Sequence, residues 1–163
     1  MFTIGILTAS DKAASGKRQD QSGMVIAEII NGLGWKVITY LVVADDPEQI
    51  KNALLSMCDE QKLNLVATIG GTGFGPRDNT PEATKAVIER EVPGIPEIMR
   101  WESRKKTPRA MLSRAVAGIR KQTLIVNLPG SPVAARECLE VILPALTHGL
   151  EILTGQTSEC GQN

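Results

Sequence analysis

The sequence predicts an α/β fold of three layers (α/β/α), with a mostly parallel central sheet between two layers of helices. Apolar segments of strand length alternate with segments of helical period along the chain, an order typical of parallel sheets with helical crossovers. Hydrophobic residues make up 42% of the chain and aromatic residues only 3%. The core is therefore expected to be aliphatic, which suits strands buried on both faces. The 163 residues predict one domain over 1–155 and a polar tail over 156–163.

Each element is predicted from its apolar period and from the residues at its ends. Strands are expected at residues 2–8, 36–43, 63–69 and 123–128, which are short apolar runs. Helices are expected at residues 22–33, 46–58, from 80, 94–106, 111–119, and from the turn at 129–132 to about 154. Asp46-Pro47 and Thr80-Pro81 are each typical of a capping side chain followed by proline at the first helical position. Pro144 is expected to split or kink the last helix.

Charge and composition argue against several classes of protein. Lys plus Arg equals Asp plus Glu at 18 each, so no basic surplus points to nucleic acid as a partner. No apolar stretch approaches the roughly 20 residues that span a bilayer, so we expect no membrane association. The three cysteines are far apart and lack CxxC spacing, which is typical of reduced thiols. Because the chain opens directly on an apolar strand, without the pattern of a signal peptide, we expect a cytoplasmic protein.

A glycine-rich segment follows the third predicted strand. It contains four glycines in six positions, together with one threonine: Gly70, Gly71, Thr72, Gly73 and Gly75. Glycines add no side chain to a core, but they let backbone N–H groups approach a ligand closely. The segment is not a Walker A loop, since no Gly-Lys-Ser/Thr follows. Its glycines exceed what an ordinary turn needs, so we predict that its backbone binds phosphate groups.

Two carboxylates are predicted to face this loop. Thr80 is expected to cap the helix that begins at Pro81, which leaves Asp78 free to hold Mg²⁺. Asp46 is the better cap of its own helix, which leaves Asp45 as a spare carboxylate after the second strand. Two carboxylates beside a phosphate-binding loop indicate metal-assisted phosphoryl or nucleotidyl transfer, with Asp78 and Asp45 as catalytic and metal-binding residues. Arg77 either pairs with a phosphate or is solvated.

Two further polar segments follow strands and should meet at the same edge of the sheet. Ser10, Asp11 and Ser22 belong to a long loop between the first strand and the first helix, and such loops are often functional. Asn127, Gly130 and Ser131 form a tight turn before the last helix, which is either an anion site or plain turn chemistry. The single histidine, His148, lies far from these segments, so triad catalysis is poorly supported.

Taken together, these motifs resemble the Mog/MoaB molybdenum cofactor biosynthesis family. The resemblance covers nearly the whole chain, to about Gly155, and is carried by five segments: Gly70 to Thr84, Thr8 to Asp11, Met111 to Arg114, Ala117 to Arg120 and Asn127 to Pro132. It implies a fold of the molybdopterin-binding-domain type, usually trimeric. In the catalytic branch of the family, AMP is transferred from Mg·ATP to the terminal phosphate of molybdopterin and pyrophosphate is released.

The resemblance also extends the candidate site. It adds Ser113, and it places Ser10, Asp11, Ser22, Ser113, Asn127, Gly130 and Ser131 with the substrates, without saying which loop holds the pterin and which the nucleoside. This chain departs from the family at Asn79, where a β-branched residue is common. It also lacks the metal-insertion domain fused to some eukaryotic relatives, so a separate protein should receive the product. The alternatives are a nucleotide pyrophosphatase on the same fold and a molybdopterin-binding or scaffold protein without catalysis.

Overall fold

The structure is a computed structural model and describes residues 1–156. It contains six strands: β1 (Thr3–Ala9), β2 (Lys36–Val43), β3 (Leu65–Ile69), β4 (Arg90–Glu91), β5 (Ala117–Arg120) and β6 (Thr123–Leu128). The α-helices are α1 (Asp11–Ala14), α2 (Gln21–Gly32), α3 (Pro47–Leu55), α4 (Thr80–Lys85), α5 (Gly94–Ser103) and α6 (Pro132–Leu153). A π-helical turn, Ser56–Glu60, extends α3, and a 3-10 helix, Pro108–Leu112, follows α5. Apart from Gln156, the predicted tail lies outside the described residues.

The strands form one sheet in the order β2-β1-β3-β6-β5-β4. The first four strands of this order run parallel, and β5 and β4 add an antiparallel edge. Two buried clusters lie on opposite faces of the sheet, one beneath α2, α5 and α6 and the other beneath α3 and α4. Ile6 and Leu7 are neighbours in β1, belong to different clusters and are both fully buried. The predicted three-layer, mostly parallel fold is therefore confirmed.

The predicted helix at residues 111–119 is wrong. Its first residues end the 3-10 helix, and the last ones form β5, which pairs with β6 and β4. A Cβ atom on Gly118 would lie 2.8 Å from the carbonyl oxygen of Arg90, so glycine allows β4 to approach this closely. Lys121, with φ of 51°, turns the chain from β5 into β6. Ala117 and Ile119, which fit a helical period in the sequence, belong to a short strand that has a partner on both sides.

Two helices also differ from expectation. α6 runs unbroken through Pro144, so the expected split is absent. Ile142, Leu146 and Leu150 are buried on one face of this helix, and their packing against the core stabilises the helix on both sides of Pro144. α3 continues as the π-helical turn, which buries the thiol of Cys58 and raises its pKa to about 11. No helix within residues 1–156 combines the length and the apolar character needed to cross a membrane.

Candidate active site

The carboxyl ends of the parallel strands open into one cleft of about 410 Å³, here called the site cleft. Its polar lining comes from four separate parts of the chain: Ser10, Arg18, Asp20 and Ser22; Asp45; Gly70, Gly71 and Asp78; and Gly130 and Ser131. The prediction that polar segments after four strands meet at one edge is confirmed. Ligands of open parallel sheets bind beyond the carboxyl ends of the strands, which is where this cleft lies.

Asp45 and Asp11 are locked together at the rim of the site cleft. The N–H of Asp11 donates to Oδ2 of Asp45 at 2.9 Å, and the N–H of Asp45 donates to Oδ1 of Asp11 at 3.0 Å. Arg77 completes the group through two hydrogen bonds to the Asp11 carboxylate, of 2.5 and 2.9 Å. These hydrogen bonds from Arg77 lower the pKa of Asp11, whereas burial, chiefly, raises the pKa of Asp45. The Oδ1 atom of Asp45 thus remains available to a ligand. A cation beside it would stabilise the ionised carboxylate.

Asp78 is placed by the glycine-rich loop rather than by a helix. Its Oδ2 atom accepts a 2.8 Å hydrogen bond from the N–H of Gly75, so the N–H of Gly75 is already used within the protein. The predicted cap at Thr80 is wrong, because Asn79 occupies the cap position of α4 and Thr80 is its first helical residue. The Thr80 hydroxyl is fully buried and has no hydrogen-bond partner among the described residues. Asp78 is nevertheless not a helix cap, and it lines the site cleft as expected.

The glycine-rich loop turns sharply at its first two residues. Gly70 and Gly71 have φ of 87° and 65°, a region that residues with a Cβ seldom adopt. A Cβ on Gly70 would lie 2.7 Å from the carbonyl oxygen of Ala9, and one on Gly71 would overlap the Thr80 hydroxyl. Within residues 1–156, the N–H groups of Gly71 and Gly73 have no hydrogen-bond acceptor. Both remain available to an anionic ligand.

Arg114 holds this loop in position, a role that the residue pattern alone did not indicate. Its N–H donates to the carbonyl of Thr72, and its guanidinium donates to the carbonyls of Gly73, at 2.7 Å, and of Asp78, at 2.6 Å. The guanidinium also pairs with Glu82 in α4. One arginine therefore fixes the loop at three carbonyl groups. The only sequence signal was its place in the Met111 to Arg114 segment.

The loop after β1 is partly helical and closes the site cleft on one side. Ser10 caps α1 by accepting from the N–H of Ala13. Asp20 caps α2 and also accepts from the hydroxyls of Thr8, at 2.6 Å, and Tyr40, at 2.5 Å. Ser22 donates to the carbonyl of Gly130 at 2.6 Å and so ties this loop to the turn before α6. The hydroxyl of Ser22 is therefore engaged within the protein.

The prediction that Asn127 belongs to the turn is wrong, and its side chain bonds within the protein. Its contact with a substrate stays a prediction. Asn127 lies inside β6 and is fully buried. Its amide donates to the hydroxyls of Thr68, at 2.8 Å, and Thr84, at 2.9 Å, and its carbonyl accepts from the N–H of Val116 at 3.0 Å. It therefore joins β3, α4 and the segment before β5. Gly130 and Ser131 do form the predicted turn, and Ser131 caps α6.

Ser113 lies outside the site cleft, in a neighbouring cavity of about 290 Å³, here called the second cavity. The walls of the second cavity are largely apolar. Thr72 and Gly73 line it from the glycine-rich loop, and Pro129 lines it from the turn before α6. The loop thus separates two cavities: Gly70 and Gly71 face one, whereas Thr72 and Gly73 face the other.

The residues of the site cleft fit Mg²⁺. Asp45 and Asp78 each use Oδ2 in a protein hydrogen bond and keep Oδ1 free of one. Mg²⁺ in proteins commonly takes one or two carboxylates and completes its shell with water and substrate phosphates. Within residues 1–156 no cluster of three or more His, Cys, Asp or Glu residues could hold a metal ion. The donor set therefore suits a cation that arrives with a phosphorylated ligand, held by Asp45 and Asp78.

Comparison with known proteins decides the family. The model of a family described as a probable molybdopterin-binding domain matches residues 5–148. The chain belongs to this family. A molybdopterin adenylyltransferase of Helicobacter pylori is 46% identical over 154 residues, which are 93% of this chain and 88% of that protein. The molybdopterin biosynthesis enzyme MoaB from Thermus thermophilus, known from a crystal structure, is 52% identical in sequence. The two structures superpose with a TM-score of 0.90 over 95% of this chain and 98% of the MoaB chain.

Membership of the molybdopterin-binding family confirms the resemblance seen in the sequence. The chain also matches gephyrin of Dictyostelium discoideum, at 44% identity over 95% of this chain but only 23% of gephyrin.

His148 lies on α6, is exposed and has Glu151 as its neighbour at 4.0 Å. It does not line the site cleft. The site of this family member therefore offers carboxylates, arginine and backbone N–H groups, but no imidazole.

Proposed function

We propose that this protein is a molybdopterin adenylyltransferase that uses Mg·ATP. One observation carries the proposal: Asp45 and Asp78 present carboxylate oxygens to the same cleft as the N–H of Gly71. Carboxylates and free N–H groups on one surface can bind a cation and a chain of phosphates together. The curated relatives named molybdopterin adenylyltransferase, at 41–46% identity, support the same reaction.

The reaction needs positioning more than acid–base chemistry. An oxygen of the terminal phosphate of molybdopterin attacks the α-phosphorus of ATP, a new P–O bond forms, and the bond between the α-phosphorus and the bridging oxygen breaks. Pyrophosphate leaves with the electron pair of that bond. A phosphate oxygen is already a nucleophile at neutral pH, so no general base is required, in agreement with a cleft that lacks histidine. Holding two phosphates in line supplies the rate.

The chain's own groups divide this work. Asp45 and Asp78 would hold Mg²⁺, which would neutralise charge on the phosphates that it touches. The N–H of Gly71, and the N terminus of α6 at Gly130 and Ser131, orient phosphate oxygens. The hydrogen bonds from Arg114 and Gly75 hold the loop before ligands arrive, so little reorganisation is needed.

We place the triphosphate of ATP in the site cleft and the pterin in the second cavity. The site cleft contains the carboxylates and the free N–H of Gly71, which suit phosphates and a cation. The second cavity is largely apolar, and Arg100, Arg109 and Ser113 in its wall can meet the polar edge of a flat ring. The two cavities adjoin at the glycine-rich loop and the turn before α6, because Gly71 and Gly130 line the site cleft whereas the next residue of the loop, Thr72, and the preceding residue of the turn, Pro129, line the second cavity. The two reacting phosphates would meet there.

Two other functions use the same residues. A nucleotide pyrophosphatase would send water to the phosphorus, and a molybdopterin-binding or scaffold protein would not turn over. Pyrophosphate release from Mg·ATP should be measured with and without molybdopterin, and the product identified by mass spectrometry. Release that depends on molybdopterin and yields the adenylylated product supports the proposal. Release without molybdopterin supports the pyrophosphatase, and binding without release supports the scaffold.

Asp78→Asn provides the matched variant for this assay. The amide oxygen can still accept from the N–H of Gly75, so the loop and the fold should remain intact while one negative charge is lost. We expect a loss of roughly a hundredfold or more in rate, the scale of other electrostatic deletions at transition states, with an unchanged melting temperature. A variant that melts several degrees lower and keeps its specific activity would assign Asp78 a structural role only.

Assembly and product transfer belong to the same proposal. The family resemblance leads us to propose a homotrimer, which sedimentation equilibrium would refute by finding a monomer at micromolar concentration. From the same family resemblance we propose that a separate protein receives the adenylylated product and inserts molybdenum. The test is to follow labelled adenylylated molybdopterin from this protein to such a partner. Product that stays on this protein when the partner is added would contradict the proposal.

A further inference from the structure

Two arginines lie near the site cleft, and their surroundings differ. Arg77 comes from the motif that suggested phosphate binding, but one edge of its guanidinium is already bonded within the protein. Its Nε and Nη2 atoms donate to the two oxygens of Asp11, at 2.5 and 2.9 Å. Such a bidentate pair fixes the guanidinium in one plane. Arg77 does not line the site cleft. Through Asp11 it instead reaches Asp45, with which Asp11 exchanges two hydrogen bonds.

Arg18 lies in the loop between α1 and α2 and lines the cleft directly. Its side chain is exposed, and its one hydrogen bond among the described residues is long, 3.5 Å from Nη2 to the hydroxyl of Ser10. No carboxylate within residues 1–156 forms a salt bridge with it. A guanidinium has five N–H donors, so nearly all the bonding capacity of Arg18 is available to a ligand.

The side chains that line the cleft carry more negative than positive charge. Asp20, Asp45 and Asp78 contribute three carboxylates, and within the described part of the chain Arg18 is the one Lys or Arg side chain in the lining. Three donors already satisfy Asp20: the hydroxyls of Thr8 and Tyr40, and the N–H of Gly23. A polyphosphate in this cleft would leave oxygens that a single divalent cation between Asp45 and Asp78 does not neutralise. Arg18 is the group placed to pair with them.

We infer that Arg18 is the residue that binds the polyphosphate of the nucleotide, and that Arg77 is a positioning residue that holds Asp45 through Asp11. This inference rests on the proposed function, because it assigns the triphosphate to the site cleft. It divides the two arginines by role: Arg18 contacts the ligand, whereas Arg77 contacts only the protein. The ligand chemistry is a chain of linked phosphates, which distinguishes it from the single phosphate of molybdopterin.

The test compares Arg18→Gln with Arg77→Gln in the full chain, by calorimetry with Mg·ATP, Mg·pyrophosphate and AMP as probes. We expect Arg18→Gln to bind Mg·ATP and Mg·pyrophosphate at least about tenfold more weakly, since charge-assisted hydrogen bonds are lost. AMP binding should change much less, the melting temperature should not change, and Arg18→Lys should recover part of the affinity. Arg77→Gln should lower the melting temperature and weaken Mg²⁺ binding, because Asp45 loses its support.

The binding data test the role of Arg18 and the proposed function separately. If the wild-type protein binds neither Mg·ATP nor Mg·pyrophosphate, the proposed function fails. If the wild-type protein binds both and Arg18→Gln binds them equally well, the role of Arg18 is refuted while the proposed function stands. Equal losses of affinity for Mg·pyrophosphate in Arg18→Gln and Arg77→Gln, with an unchanged melting temperature and unchanged Mg²⁺ binding in Arg77→Gln, would also overturn the division of roles. A loss for AMP as large as that for pyrophosphate would place Arg18 at the nucleoside or the α-phosphate instead.

Discussion

Replacing Asn127 with alanine tests whether this residue builds the site or contacts a ligand. The sequence placed Asn127 in a substrate-binding turn, whereas the structure buries it completely within β6. Asn127→Ala removes one amide that serves three partners: the hydroxyls of Thr68 and Thr84 and the N–H of Val116. The two interpretations predict different results. A ligand contact alters binding, but a structural residue alters the free energy of unfolding.

The size of the effect follows from those three partners. Each buried polar group left without a hydrogen bond destabilises a protein by about 1–3 kcal/mol. The space left by the amide is lined by two hydroxyls and one N–H, so a water molecule can enter it and restore part of the bonding. We therefore expect the lower end of the sum, about 3 kcal/mol. For a domain of this size that corresponds to a fall of roughly 6–12 °C in melting temperature.

Urea unfolding and thermal melting measure this loss, and Ser131→Ala is a suitable control. Ser131 is an exposed helix cap, so its loss should destabilise the protein by only about 1 kcal/mol. Asn127→Ala should keep its affinity for Mg·ATP at temperatures where it remains folded. If it melts like the wild type and instead loses ligand affinity, Asn127 contacts a substrate and the structural assignment is wrong.

Two further predictions concern the carboxylate and the glycine that face each other in the site cleft. Asp45→Asn should raise the melting temperature at neutral pH, because burial raises the pKa of Asp45 and the folded state therefore disfavours its ionised form. The gain should shrink as pH falls below the usual Asp pKa, where Asp45 is protonated in both states, and the variant should lose Mg²⁺ affinity. A lower melting temperature at neutral pH would refute this account. Gly71→Ala should destabilise by about 2 kcal/mol or more, from positive φ and overlap with Thr80. Gly16→Ala, with positive φ but no neighbour within 4 Å, should lose less in urea unfolding, and equal losses would show that overlap plays no part.

The sequence predicted the parallel part of the fold because its signals there are local. β1, β2, β3 and β6 are runs rich in apolar and β-branched residues, and each is followed by polar residues at the sheet's carboxyl edge. The antiparallel edge left no comparable signal. β4 has two exposed residues, and β5 pairs through Gly118, whose role depends on the approach of a distant carbonyl. Pairing of this kind is set by tertiary contact rather than by period.

The candidate site was predictable to the level of segments but not of side chains. The four segments meet as expected, yet Asn127 turns inward, and Ser22 bonds to Gly130 rather than facing a ligand. Side-chain direction depends on register within the strand, and a shift of one residue reverses it. Arg18 and Arg114 were missed because arginines in polar loops resemble solvated surface residues. Only the fold reveals which groups surround them.

The loops of the candidate site are tied to the core by side chains that bond within the protein. Asn127 fixes the end of β3 to α4, Arg114 holds three carbonyls of the glycine-rich segment, and Ser22 ties the first loop to the turn before α6. Each of these side chains bonds to the protein and not to open solvent. Phosphoryl chemistry without a general base depends on such positioning, since a small displacement of one phosphate removes in-line geometry. Variants of these supporting residues should then reduce turnover more than they reduce the binding of either substrate alone.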